Sequence, residues 1–97
     1  MNVLKSLLTD SIRAVECMQK DFEENGMYSP ELYDRLVGPM LAMDNEILAN
    51  LNTSPVAAAL DTIYGDLYAY LYKEYPSGTM DLAHVSNEFN VMLSMVA

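Results

Sequence analysis

The sequence predicts an all-α fold, specifically a four-helix antiparallel bundle of the up-down type. Apolar residues recur every three or four positions in four segments, which is the spacing of one face of a helix. The connections between these segments are short, about two to five residues, and short connections place consecutive helices side by side as antiparallel neighbours. We expect one domain, 1–97, with helices over about 2–24, 30–51, 55–75 and 80–96.

The first helix is predicted by a single apolar stripe that extends over about five turns. The stripe consists of Val3, Leu4, Leu7, Leu8, Ile12, Val15, Met18 and Phe22. Asn25 and Gly26 follow, and both residue types tolerate the left-handed backbone conformation that often ends a helix. We therefore expect the first helix to end there.

The second helix is predicted to begin at Ser29-Pro30-Glu31. The serine side chain can accept a backbone N–H, the proline has the φ angle that the first helical position requires, and the glutamate faces the positive end of the helix dipole. The apolar residues that continue this helix are Leu32, Tyr33, Leu36, Val37, Met40, Leu41, Ile47, Leu48 and Leu51.

Gly38 and Pro39 fall in the middle of the second helix. Proline inside a helix removes one backbone donor, and its ring clashes with the preceding turn. We therefore expect a kink or a break at 37–39. A break would divide the chain into five helical segments.

Ser54-Pro55 repeats the start signal and opens the third helix, which we expect to end at Tyr75, before Pro76-Ser77-Gly78. Thr79 is the predicted cap of the fourth helix. The apolar face of that helix comprises Leu82, Val85, Phe89, Met92, Leu93 and Val96.

The third helix is apolar or aromatic on most of its circumference. At roughly 100° per residue, its inward stripe is predicted to be Leu60, Ile63, Leu67 and Leu71. A tyrosine ridge, Tyr64, Tyr68, Tyr72 and Tyr75, follows beside this stripe. Tyrosine offers a large contact area while its hydroxyl stays hydrated, so the ridge is either the margin of the core or a set of interface anchors for another chain.

The formal net charge is −9, and it is unevenly distributed. Residues 27–97 carry nine acidic residues against two basic ones, Arg35 and Lys73. Direct binding to nucleic acid or to an anionic membrane requires a basic surface, which this sequence lacks. We expect an acidic patch on the outer side of the third and fourth helices, which either binds a basic partner or is only a solvated surface; it consists of Asp61, Asp66, Glu74, Asp81 and Glu88.

No catalytic, cofactor-binding or metal-binding residues are predicted. His84 and Glu88 could share one face of the fourth helix, but one histidine and one cysteine are a poor supply of zinc ligands. The sequence also has no Glu-x-x-His, the motif that two helices of a di-metal carboxylate bundle contribute. Cys17 is predicted to be a surface thiol, because it points away from the apolar stripe of the first helix.

The single cysteine excludes an internal disulfide and fits a reducing compartment. The first residues have neither the pattern of a signal peptide nor that of a transmembrane segment. These observations predict a cytoplasmic protein.

The hydrophobic share of 52% is high for a chain of 97 residues, since the usual share of about 45–50% also counts glycine. We therefore expect a homo-oligomer, most simply a dimer. The predicted function is a non-catalytic inhibitor or adaptor, of the kind that phages and mobile elements encode, which docks on a basic surface of a partner protein, such as a nucleic-acid-binding surface.

Two alternatives remain open at this stage. The first is a secretion or assembly chaperone, or a structural bundle, that covers an amphipathic helix of a partner in an apolar groove. The second is a bundle that binds a small ligand or carries out catalysis with Tyr64, Tyr68 and His84.

Overall fold

The computed structural model describes residues 2–75, 78 and 80–96 and contains four helices, which confirms the predicted fold class. None of the described residues belongs to a β-strand. The helices are α1 (Asn2–Asn25), α2 (Pro30–Asn50), α3 (Pro55–Glu74) and α4 (Leu82–Val96).

The four helices surround one core, and each helix contacts two neighbours. Contacts link α1 with α2, α2 with α3, α3 with α4, and α4 with α1, whereas diagonal helices do not meet in the described part of the chain. Tyr33 at the start of α2 meets Tyr75 just after the end of α3, so these two helices are antiparallel. The α1–α2 contact is the most extensive, and the contacts on both sides of α3 are the least extensive.

Every helix supplies side chains to the core. The buried residues include several methionines, whose flexible side chains fill irregular gaps. The only buried polar residue among those described is Ser11, and its hydroxyl donates a hydrogen bond to the carbonyl oxygen of Leu7 at 2.9 Å. The core residues with the least exposure are Leu4, Leu8, Val15, Met18, Leu36, Met40, Met43, Ile47, Leu60, Leu67, Val85, Phe89 and Met92.

The first helix ends where the sequence predicts. Gly26 adopts the left-handed conformation with φ = 72°, and its N–H donates to the carbonyl oxygen of Phe22 at 2.8 Å. Asn25 remains the last helical residue. Glycine has no Cβ and adopts the left-handed conformation at little cost, so Gly26 rather than Asn25 takes it.

The helix starts at Pro30 and Pro55 are confirmed, but the predicted side-chain caps are wrong. Ser29 and Ser54 have extended backbones before a proline, yet neither side chain accepts a helix N–H. The Ser29 hydroxyl instead donates to the carboxylate of Glu31 at 3.1 Å. The fixed φ angle of proline and the extended residue before it are enough to set these two helix starts.

Helix α2 continues through Gly38 and Pro39 without a break, so the chain has four helical segments rather than five. Pro39 cannot donate to the carbonyl oxygen of Arg35, and one bond of the helix is therefore lost. The neighbouring turns on both sides remain helical because they pack on the core through Leu36 and Met40.

The start of α4 differs from the prediction. Thr79, the expected cap, lies outside the described residues, as do Pro76 and Ser77. The observed cap is Asp81, whose Oδ1 accepts the N–H groups of Ala83 at 3.0 Å and His84 at 3.3 Å. An aspartate at this position satisfies N–H groups that have no partner within the helix, and its charge complements the helix dipole.

Candidate protein-binding groove

The tyrosine ridge of α3 is divided by the fold into buried and exposed members. Tyr64 is 6% exposed and belongs to the core. Tyr75 is partly buried, whereas Tyr68 and Tyr72 are 46% and 75% exposed. The ridge therefore has one member in the core, Tyr64, and two on the surface, Tyr68 and Tyr72.

Tyr64 fixes α3 against α2. Its hydroxyl donates a hydrogen bond to the carbonyl oxygen of Met40 at 2.9 Å. Burial, together with the nearby negative charge of Asp44, raises the pKa of Tyr64 to about 12. The predicted inward stripe lacks this residue, while Ile63, which it includes, is only partly buried.

Tyr75 and Tyr33 form a stacked pair at one end of the α2–α3 interface. Their ring centroids are 3.7 Å apart and their planes differ by 11°. Burial is the main cause that raises the pKa of Tyr33, and the neighbouring Tyr75 adds to it. The pair covers apolar area at this end of the interface.

An open cavity of about 280 Å³ lies beside this pair, between α2 and α3. Its lining is mostly apolar and aromatic, with one carboxylate. We call it the tyrosine end of the groove; it is lined by Tyr33, Asp34, Leu36, Val37, Met40, Tyr68, Leu71 and Tyr72.

A second, more open depression of about 340 Å³ adjoins the first, and Tyr68 lines both. We call it the aspartate end; it is lined by Leu41, Asp44, Asp61, Tyr64, Gly65 and Tyr68. The two carboxylates come from different helices, one from α2 and one from α3. The two parts lie side by side between α2 and α3 with Tyr68 at their junction, and together we call them the α2–α3 groove.

The groove exists because α2 carries apolar residues in adjacent pairs. In the pairs Met40/Leu41 and Ile47/Leu48, the first residue is buried in the core. The second residue lies about 100° further around the helix, and Leu41 and Leu48 are 55% and 51% exposed. On the α3 side, Gly65 adds no side chain, and nothing lies within 4 Å of the position that a Cβ would occupy there.

The structure does not gather the predicted acidic patch on one surface. Asp61 lines the α2–α3 groove, together with Asp44. Asp81 caps α4, and its N–H donates to the hydroxyl oxygen of Tyr70 at 2.7 Å. Tyr70 lies nine residues after Asp61, about 180° around α3, so these two aspartates face different sides of the helix.

The remaining members of the patch are distributed along the outer parts of α3 and α4. Asp66 is exposed, while Glu74 and Glu88 are partly buried. Asp34 and Asp44, two acidic residues of α2 that were not predicted as site residues, instead join Asp61 along the groove. Their common location depends on the packing of α2 against α3, which a single-helix periodicity does not reveal.

Of the three residues of the predicted ligand or catalytic site, Tyr64 and Tyr68 stack on each other with ring centroids 6.1 Å apart, and His84 lies elsewhere. His84 is exposed and packs edge-on against Tyr70, with ring centroids 4.9 Å apart. Tyr64 and Tyr68 face the α2–α3 groove instead. Cys17 is exposed, and it lines a small depression between α1 and α2.

Within the described residues, no group of three histidine, cysteine, aspartate or glutamate side chains is placed to hold a metal ion. None of the helices in the described part of the chain is both long enough and apolar enough to span a membrane. Comparisons of the chain with protein families, with curated proteins and with solved structures gave no significant match.

Proposed function

We propose that this chain is a non-catalytic adaptor or inhibitor that binds a basic, amphipathic segment of a partner protein in the α2–α3 groove. The observation that carries the proposal is the coincidence of exposed apolar side chains and carboxylates on one concave surface. Neither feature alone would define a partner. Together they match a ligand that is apolar on one side and positively charged beside it.

The groove exposes large hydrophobic side chains. Tyr68, Tyr72 and Leu41 line it and are left exposed by the core, and Leu48, seven residues after Leu41 and so on the same face of α2, is exposed as well. Contiguous apolar surface of this kind is typical of protein-binding sites. Tyrosine in particular contributes contact area with few rotatable bonds, which lowers the entropy cost of binding.

The charge of the groove specifies the partner further. Asp34, Asp44 and Asp61 line it, and no described lysine or arginine does. A net charge of −9 also attracts basic proteins over a longer range and repels nucleic acid. A partner segment with lysine or arginine side chains is therefore complementary to this surface.

Binding in the groove would combine the two protein-binding alternatives, docking on a basic surface and covering of an amphipathic helix. Charge increases the rate of association, while burial of the apolar residues slows dissociation. Salt separates the two contributions, because the Debye length falls from about 10 Å at 0.1 M to about 3 Å at 1 M. Raised salt should slow association and leave a residual affinity that depends on the tyrosines.

A second copy of this chain is the main competing occupant. Two copies that met through this groove would bring three carboxylates of each close to those of the other, which is unfavourable. We therefore propose a different protein as the occupant. A light-scattering measurement that gave a dimer dissociated by Tyr72→Glu would identify the second copy instead.

Affinity capture from the native cell tests the proposal. The bait is the full chain, and the test variant is Asp34→Asn/Asp44→Asn/Asp61→Asn. The matched control, Glu16→Gln/Glu23→Gln/Glu24→Gln, removes the same charge from exposed positions of α1. We expect the wild type and the control to retain a basic partner that the groove variant loses; equal capture by all three would reject the groove as the binding site.

A further inference from the structure

We infer that the α2–α3 groove recognises a two-point pattern, an apolar side chain at the tyrosine end and a lysine or arginine at the aspartate end, about two helical turns apart on one face of a helical ligand. The inference rests on the proposed function and specifies the ligand that the groove selects. It follows from the different chemistry of the two ends and from the distance between them.

The tyrosine end is suited to an apolar side chain. The rings of Tyr33, Tyr68 and Tyr72 surround a floor that includes Met40 and Leu71. Its volume of about 280 Å³ is just below the roughly 300–1,000 Å³ of typical small-molecule sites. A leucine, methionine or phenylalanine anchor from a partner would bury both its own surface and the exposed edges of the tyrosines.

The aspartate end is suited to a cation with a long stem. Asp44 of α2 and Asp61 of α3 both line this depression, so a positive group bound in it would be attracted by both carboxylates. The open space over Gly65 accommodates the aliphatic part of a lysine or arginine side chain. Tyr68, at the junction of the two ends, offers a ring face with which a guanidinium or ammonium group can make a cation–π contact.

The spacing follows from the geometry of α3. On α3 the tyrosine end is centred near residue 70 and the aspartate end near residues 64–65, and on α2 the centres lie near residues 36 and 42–43. The two ends are therefore about six to seven residues apart, which is about 9–10 Å along a helix. A ligand helix that lies along the groove would present positions i and i+7 to the two ends, because these positions share one face. The length of the groove, from Tyr72 to Asp61, corresponds to about three helical turns.

A pair of synthetic peptides tests this register. Both are capped alanine- and glutamine-based helices that contain one leucine and one arginine. In the matched peptide the arginine follows the leucine by seven positions, on the same face; in the control it follows by nine, on the opposite face. The two peptides have the same composition and net charge, so only the register differs.

Binding is measured by NMR titration of the isotope-labelled full chain. We expect the matched peptide to shift the backbone amides of 33–44 and 61–72 and to bind roughly fivefold more tightly than the control peptide. Asp44→Asn/Asp61→Asn should remove this preference by weakening the matched peptide alone. Glu23→Gln/Glu24→Gln, on α1, should leave the preference unchanged.

The outcomes separate this inference from the proposed function. If both peptides bind the groove equally, the two-point pattern is wrong while binding of basic amphipathic ligands stands. If the matched peptide shifts residues of α1 or α4 instead of the groove, or shifts none, both the pattern and the proposed binding site are wrong. A dimer of the chain that excludes both peptides and is dissociated by Tyr72→Glu would likewise assign the groove to a second copy.

Discussion

The hydroxyl of Tyr64 donates a hydrogen bond to the carbonyl oxygen of Met40, and this bond joins the middle of α3 to the middle of α2. The ring is buried, so the bond is shielded from water. The α2–α3 contact is among the least extensive in the bundle, so each bond across it matters to its stability. It also forms the inner wall of the groove at the aspartate end.

Removal of this hydroxyl should destabilise the protein moderately. We expect Tyr64→Phe to lower the free energy of unfolding by about 1 kcal/mol, which is the net value of a typical hydrogen bond. Tyr64→Ala should lower it by about 3–5 kcal/mol, because a cavity replaces the ring. Urea denaturation measures both, and Tyr72→Phe, at an exposed position, should change stability by less than about 0.5 kcal/mol.

The raised pKa of Tyr64 predicts a loss of stability in alkaline solution. The folded-state pKa of about 12 lies above the ordinary value of 10.0, so the unfolded state releases its proton first as the pH rises. The contribution of Tyr64 is therefore complete below pH 10 and is lost between about pH 10 and 12, by roughly 2–3 kcal/mol.

Comparison with Tyr64→Phe isolates this contribution. Burial also raises the pKa of Tyr28 and Tyr33, which act in the same direction in both proteins. The difference in unfolding free energy between the wild type and the phenylalanine variant should therefore change over this pH range. A constant difference from pH 8 to pH 12 would contradict the assignment.

Asp81 should stabilise α4 without contributing to the groove. We expect Asp81→Ala to lower the free energy of unfolding by about 1 kcal/mol, because two N–H groups at the helix start lose their acceptor. Thermal denaturation measures the loss, and the more conservative Asp81→Asn should retain most of the cap. Binding of the matched peptide should be the same for all three proteins, and a weakened affinity would place Asp81 in the binding site.

The predicted fold follows from local features that act within one helix. The stripe of α1, the stop at Gly26 and the prolines at 30 and 55 each depend on a few neighbouring residues, so the sequence alone reveals them. The structure differs from the prediction where contacts with another part of the chain determine the local conformation. Asp81 and Thr79 are both suitable caps by residue type, so the sequence alone does not determine which of them begins the helix.

The groove could be predicted only in part for the same reason. Helical periodicity placed Tyr64, Tyr68, Tyr72 and Tyr75 on one ridge, but whether each is buried depends on the position of α2. Tyr64 is buried where its hydroxyl bonds to the carbonyl oxygen of Met40, and Tyr75 is partly covered by the stacked ring of Tyr33. The exposed second members of the apolar pairs in α2 were visible in the sequence as a stripe too wide for one buried face.

Substitution of Gly65 by alanine should have opposite effects on stability and on binding. It lies inside α3 with free space around its Cβ position, so Gly65→Ala should raise the free energy of unfolding by about 0.5–1 kcal/mol. The added methyl group would occupy part of the aspartate end and weaken the matched peptide several-fold. Gly38→Ala is the matched control, since Gly38 is also helical with free space but lies outside the groove. Because a Cβ directly before Pro39 is disfavoured in a helix, Gly38→Ala should stabilise the protein little or not at all. It should leave binding unchanged, and an equal loss of affinity in both variants would contradict the proposed site.

Truncation of Tyr68 or Tyr72 should have the converse effect, a loss of binding with little loss of stability. Tyr72 is 75% exposed, so Tyr72→Ala should change the free energy of unfolding by less than about 0.5 kcal/mol. Tyr68 is 46% exposed and stacks on Tyr64, so Tyr68→Ala should lower it by about 1 kcal/mol. If they are anchors of a partner, each truncation should cost more than about 1 kcal/mol of binding free energy, at least a fivefold rise in Kd. Val91→Ala, at an exposed apolar residue of α4, provides the control for a general loss of surface hydrophobicity. Titration calorimetry with the captured partner measures the affinities; a partner that binds the double variant Tyr68→Ala/Tyr72→Ala as tightly as the wild type must use a surface other than the α2–α3 groove.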